Sequence, residues 1–424
     1  MEKFDTVVVG AGQAGIATSE HLSALNIDHV VLERDRIAER WRTGRWDSLV
    51  ANGPAWHDRF PNMEFSCADE MFADKETVAA YFEAYAKHLG APVRTGVEVT
   101  KVDPQNGEFV VQTNAGTIQA NHVVAATGPF QSPVVPPLIP DDARLLQIHS
   151  SAYRNPDQLP EGAVLVVGGG SSGVQIAEEL MSSGRKVFLS IGPHDRPPRR
   201  YRGRDNVWWL GVLGKWNADT PGPGTEHVTI AVSGANGGKT IDFRRLAERG
   251  MTLLGMANGY DDGAVSFAND LKTNLDKGDA YYLSLLDECD AYAERNGLDL
   301  PSEPEARKIP PDPEHVVDPV RRLNLAESGI HTILWATGYK FDFGWLNAQT
   351  FDANGRPIHQ RGVSQVEGLY FVGLPWQSRR GSSFIWGVWH DAKFIADQIA
   401  IRRGYMDYHE KSTDRALQTE GSRS

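Results

Sequence analysis

The chain has 424 residues, 41% of them hydrophobic and 23% charged, which is enough for two or three domains with a large core. A net charge of −12 argues against general binding of nucleic acid or of an anionic membrane surface. Two distant cysteines, Cys67 and Cys289, exclude a CxxC redox pair and fit a reducing cytoplasm. No apolar run reaches the length of a membrane span, and the N-terminus enters a strand pattern without a signal peptide.

Val7-Val8-Val9 reads as a buried parallel strand. It runs into Gly10-x-Gly12-x-x-Gly15, with Gln13 and Ala14 inside the turn, and then into a helical pattern from Ile16 to Leu25. The next strand, His29 to Leu32, is closed by Glu33 and followed by Arg34. Such a glycine turn, helix and acid form a dinucleotide fingerprint: the helix N-terminus takes the pyrophosphate and the acid takes a ribose hydroxyl. An aromatic and arginine-rich segment follows. With Trp41 and Trp46 it reads as a wall for a flat aromatic group, or else as a packing loop, and it leads to Asn52-Gly53-Pro54. Lys75 to Leu89 has helical periodicity. Short strands at Glu98–Val102, Phe109–Thr113 and Thr117–Ala120 form a meander, in which Val99 is expected to touch the cofactor. Val123 to Ala125 returns to the sheet and ends in the turn Ala126-Thr127-Gly128. Five prolines between Pro129 and Pro140 mark an exposed linker.

The opening pattern then repeats. Val164 to Val167 leads to Gly168-x-Gly170-x-x-Gly173, with Ser171 and Ser172 in the turn and Gln175 behind it, and a strand ends at Ser190. Two dinucleotide folds in one α/β chain suggest two facing cofactors, the arrangement of flavin enzymes that take hydride from a nicotinamide. Glu33 would repel a 2′-phosphate, so FAD is expected on the first fold. Ser190 stands where the second acid would be. Arg196, with Arg199, Arg200, Arg202 and Arg204 behind it, suits a 2′-phosphate, so NADPH is expected on the second. NADH stays open, because Gly192 occupies a place where an arginine would be expected. The rhythm resumes at Ile330 and reaches the turn Ala336-Thr337-Gly338. A last strand ends at Gly373, and Gly381 to Gly387 leads into a helix at Trp389 to Ile401. The expected architecture is two Rossmann-like domains. A discontinuous FAD domain covers 1–155 and 325–424. An NAD(P)H domain covers 156–324, with an insertion at about 197–311 that includes a Gly-rich stretch from Pro221 to Gly238. Glu410 to Ser424 is expected to fray.

These motifs resemble the class B flavin-dependent monooxygenases, in particular their YUCCA-type and bacterial flavin-containing branch. The resemblance is carried by GAGQAG, WRxxRWDSL, Asn52-Gly53-Pro54, GGGSSG, the Ala336–Tyr339 turn and GLYFVG. Of the family signature FxGxxxHxxxY, His149 and Tyr153 match, while Ala143 and Leu145 stand in place of Phe and Gly. No Trp-Pro follows the histidine, unlike in Baeyer–Villiger enzymes. The resemblance implies that NAD(P)H reduces FAD and that the flavin carries O2 as a C4a-hydroperoxide. One oxygen atom then passes to a small organic substrate. It also implies that Asn52 lies beside the reactive flavin edge and that His149 is structural. No metal is required. Trp208, Trp209, Trp376, Trp386 and Trp389 are candidate walls of an apolar cavity for an aromatic substrate, with plain packing as the other reading. A reductase or oxidase that releases hydrogen peroxide, or a flavin-binding sensor without turnover, stays open, as does a homodimer.

Overall fold

The computed structural model describes residues 1–141, 144–219 and 229–421, with side chains as far as residue 409. Ala143 and the first part of the Gly-rich stretch lie outside the described residues.

The strand Glu2–Val9 is the centre of the first unit because its end is apolar on both faces. Val7 and Val9 enter one core with Phe109 and Phe371, and Val8 enters the opposite core with Ile16, Phe82 and Ile395. His29–Glu33 pairs with it on one side and Gly116–Ala125 on the other, both parallel. Gly116–Ala125 joins two strands expected separately. Its first half alternates buried and exposed residues against Glu108–Thr113, and its second half is buried throughout, so one strand reads as two. Leu369–Phe371 then extends the sheet beside Val123–Ala125. The following helix, Ile385–Gly421, buries Val388, Ala392, Ile395 and Ile399 in the same core as Ala14, Ile16 and Ala17 of the helix Gln13–Ala24. The first unit is therefore built from both ends of the chain. The C-terminal segment expected to fray continues the helix to Gly421.

The second unit is a parallel sheet in the order Thr252–Leu254, Val187–Ser190, Ala163–Val167, Ile330–Trp335, Leu146–His149. This moves both expected boundaries. Leu146–His149 and Ile330–Trp335 belong here, not to the FAD domain, because each completes the hydrogen bonding of its neighbour. Residues 197–311 are not one excursion either, since Thr252–Leu254 comes back to pair with Val187–Ser190. The part that stays outside the sheet has its own core, where Trp209, Tyr201 and Tyr282 pack with Leu286 and Cys289 of the long helix Leu271–Arg295. Among the described residues no helix is long and apolar enough to cross a membrane.

Candidate active site

The two glycine turns have the same construction. Gly10 has φ +104° and Gly168 φ +117°, a region L side chains avoid. A Cβ on Gly15 would lie 1.8 Å from the Gly10 carbonyl oxygen, and one on Gly173 would lie 1.8 Å from that of Gly168. Each turn is closed by the small-residue turn of the neighbouring strand. A Cβ on Gly10 would meet the Ala126 carbonyl at 2.9 Å, and one on Gly168 the Ala336 carbonyl at 2.4 Å. Thr127 and Gly128 are held by Gln131, and Thr337 donates to the Val134 carbonyl at 2.5 Å.

The mouths of the two turns differ. Gly12 starts its helix without a side-chain cap, and nothing lies within 4 Å of where its Cβ would be. Free N–H groups therefore face an open space of the kind a pyrophosphate fills. Glu33 is fixed at this mouth, accepting from Ala11 N at 2.8 Å and Asp35 N at 3.0 Å. Gln13 donates to the Ser383 carbonyl at 2.8 Å, and a Cβ on Gly373 would touch that of Ala14 at 2.9 Å, so the C-terminal segment borders the same turn. Arg34 is exposed beside Asp35, and Val99 is half-buried at a strand start. At the second mouth, Gly170 also lacks a side-chain cap, but Thr229 stands 3.4 Å from its Cβ position. Ser171 donates to the Ile230 carbonyl at 2.6 Å, and Ser172 is half-buried.

Several expected contacts are used internally. Ser190 is 2% exposed and bonds the Gly255 carbonyl and Ala257 N, so it ties the sheet edge instead of facing a ribose. Arg196 is 4% exposed and pairs with Asp279 at 2.8 Å, because the long helix brings that carboxylate to it. Arg199 pairs with Asp205, and Arg202 with Asp290. Trp46 is buried in the core of the second unit, and Trp41 packs against the cores of both. The segment is thus a packing joint with Arg45 stacked 4.3 Å from the centre of the Phe130 ring.

Asn52 lies where the units meet. Its side-chain oxygen accepts from Gln175, on the helix of the second fingerprint, at 3.0 Å, and its carbonyl accepts from Arg199 at 2.5 Å. The backbone around it is paired with the segment before the helix Lys75–Leu89, Ala51 N to the Ala73 carbonyl and Ala55 N to that of Met71. His149 and Tyr153 are structural joints. His149 bonds the Gly338 carbonyl at 3.0 Å, and burial lowers its pKa below the usual imidazole range. The Tyr153 hydroxyl donates to Glu179 at 2.7 Å, and burial raises its pKa.

The five candidate wall tryptophans separate. Trp208 and Trp209 pack in the outer core, and Trp389 donates to Glu20 at 2.6 Å. Trp376 has φ +53° in the segment before the last helix. Trp386 joins an aromatic cluster with His57 and Trp216, and Trp56 meets the same His57 ring. Trp56 and His57 went unrecognised in the sequence. The signal was there in the aromatic and ionisable run Trp56-His57-Asp58 directly after Pro54 and Ala55.

Relatives share this plan. A family model for pyridine nucleotide-disulphide oxidoreductases matches residues 7–202. An uncharacterized CzcO-like oxidoreductase of Geobacillus kaustophilus is 33% identical over 400 residues, 93% of this chain and 98% of its own. The probable indole-3-pyruvate monooxygenase YUCCA4 of Arabidopsis thaliana is 32% identical, over 93% of this chain and 89% of its own. The chain belongs to the class B flavin-dependent monooxygenases. A flavin-containing monooxygenase from Stenotrophomonas maltophilia has the same fold, with a TM-score of 0.66 at 18% identity over 95% of this chain and 99% of its own. As a class B flavin monooxygenase, the protein is an NAD(P)H-dependent oxidoreductase that uses a flavin and a nicotinamide, with O2 and a small molecule as reactants.

Proposed function

We propose that the first fold holds FAD, that the second holds NADPH, and that the enzyme inserts one oxygen atom of O2 into a small aromatic nucleophile in the cytoplasm. The observation that carries this reading is the hydrogen bond that Gln175, on the helix of the second fingerprint, donates to the Asn52 side chain of the first unit. The open mouth at Gly12 and the Glu33 carboxylate would take the FAD phosphates and ribose. Gly168, Gly170 and Gly173 would take the dinucleotide of the reductant. Arg196 and Arg199 being paired with aspartates, the exposed Arg200 and Arg204 are the guanidiniums left for a 2′-phosphate.

Bound flavin supplies hydride acceptance and oxygen activation. The residues of the chain supply the rest. Asn52 would donate an amide hydrogen to the bound group without being an acid. The test is to reduce the purified flavoprotein anaerobically with NADPH, mix it with oxygenated buffer and follow the spectrum. A persistent species distinct from reduced and oxidised flavin is expected. Direct return to oxidised flavin, with hydrogen peroxide released in equal amount both with and without substrate, would overturn the reading in favour of a reductase or oxidase.

A further inference from the structure

The Asn52 loop carries a second pair of groups that the reading above leaves unused. His57 Nδ1 and Asp58 Oδ1 are 2.8 Å apart, and Asp58 Oδ2 accepts from the backbone N–H of Gly53 at 3.0 Å. Gly53 is what admits the carboxylate, since a Cβ there would lie 2.4 Å from Asp58 Oδ1. The dyad is therefore fastened to the residue that follows Asn52. A carboxylate with both oxygens engaged as acceptors places the imidazole proton on Nδ1 and leaves the lone pair on Nε2. Among the described residues no hydrogen bond is made to Nε2.

Three indoles surround this imidazole. Trp216 stacks on it with ring centres 5.5 Å apart, and Trp56 and Trp386 meet it edge-on at 5.4 Å. They come from three separate parts of the chain: the Asn52 loop, the segment outside the second sheet and the start of the last helix. Indole faces attract an organic cation and give a flat wall to an aromatic ring. The Arg379 guanidinium lies 5.6 Å from the Trp386 ring, where its charge disfavours a second cation that keeps its proton. Other ionisable groups near the cluster, among the described residues, include Arg59 and Lys215, paired with Glu64 and Glu288, His390, and Arg380 beside Gly381.

We propose that His57 is a catalytic proton acceptor, held by Asp58 as its positioning residue, for a primary arylalkylamine, an aromatic ring carrying its amine on a saturated carbon, that arrives as its ammonium ion. An ammonium has no lone pair to receive an oxygen atom. In the step, one N–H bond of the ammonium breaks, its electron pair stays on nitrogen as the new lone pair, and the proton passes to His57 Nε2. Asp58 holds the imidazolium until the proton leaves to water. Nothing is oxidised or reduced in this transfer. The proposal rests on the monooxygenase reading, which the established family chemistry completes.

The experiment uses the FAD-loaded enzyme with NADPH, isotopically labelled oxygen and two probes. Benzylamine is an ammonium at neutral pH, whereas methyl phenyl sulfide has a lone pair and no proton to lose. H57Q is expected to lower the ratio of kcat/KM for benzylamine to that for the sulfide by about 100-fold, and D58N by roughly 10-fold. H57A is expected to lose the same ratio and to regain benzylamine oxygenation when imidazole is added. A ratio unchanged in both His57 variants, or no response to imidazole, overturns the proposal. If the wild type labels neither probe while consuming NADPH, the monooxygenase reading fails, and this assignment with it.

Discussion

The Gln175 side chain donates to Asn52 Oδ1 across 3.0 Å, and that contact spans the two nucleotide folds. Gln175 also donates to the Val232 carbonyl at 2.8 Å, so the asparagine is fixed by a residue that is itself fixed. Q175L removes the donor while keeping the volume. NADPH oxidation is expected to continue, while the fraction of turnovers ending in hydrogen peroxide rises several-fold. An unchanged peroxide fraction would separate Asn52 from the oxygen chemistry.

The second and third glycines of the first turn do different work, and alanine should tell them apart. Gly12 has open space where a Cβ would go, so G12A should fold with a nearly normal melting temperature but bind FAD at least about tenfold more weakly. Gly15 would drive its Cβ to 1.8 Å from the Gly10 oxygen. G15A must therefore displace backbone, beyond the roughly 1–3 kcal/mol of ordinary overpacking, and little folded protein is expected. Circular dichroism together with flavin content separates the two outcomes.

Replacing Arg196 tests whether it serves the reductant or the fold. It is buried against Asp279, which Arg244 also grips at 2.5 Å. R196M should cost about 2 kcal/mol in urea unfolding, less than an ion pair broken outright because Arg244 remains. The KM for NADPH should stay near the wild-type value. A large rise in KM with unchanged stability would return Arg196 to the cofactor.

Stability should fall on mild acidification. Burial lowers the pKa of His149, and likewise those of His21, His29, His194, His315, His359 and His390. For each, the unfolded chain takes up its proton at a higher pH than the folded one. The stability they contribute is complete above the ordinary imidazole range, near pH 6.5, and drains away as pH falls through and below it. The urea midpoint should therefore be lower at about pH 5.5 than at about pH 7.5, and H149Q should narrow the difference.

Much of the fold is legible because its signals are local. The helix Lys75–Leu89 begins where Asp74 accepts from Thr77 N at 2.7 Å and ends at Gly90 with φ +61°. Both fingerprints and both small-residue turns are likewise written in a few consecutive residues. Pairing partners are not. The strand Ile330–Trp335 looks like any buried strand, and its membership in the second sheet depends on neighbours more than a hundred residues away. The arginine run misled for the same reason: Arg196 meets its aspartate 83 positions later, which no local pattern announces. His57 gained its meaning only when Trp216 and Trp386 were brought to it.

The splitting of the first unit between the two ends of the chain sets an order of events during synthesis. While the ribosome is still making the segment after Trp335, all five strands of the second sheet already exist and can pair. The first sheet still lacks Leu369–Phe371, and its central helix still lacks the cover of Ile385–Gly421. The Ser383 carbonyl that receives Gln13 has not yet been made. The glycine turn near the start of the chain is therefore completed only after the last helix has been made, long after its own residues have left the ribosome.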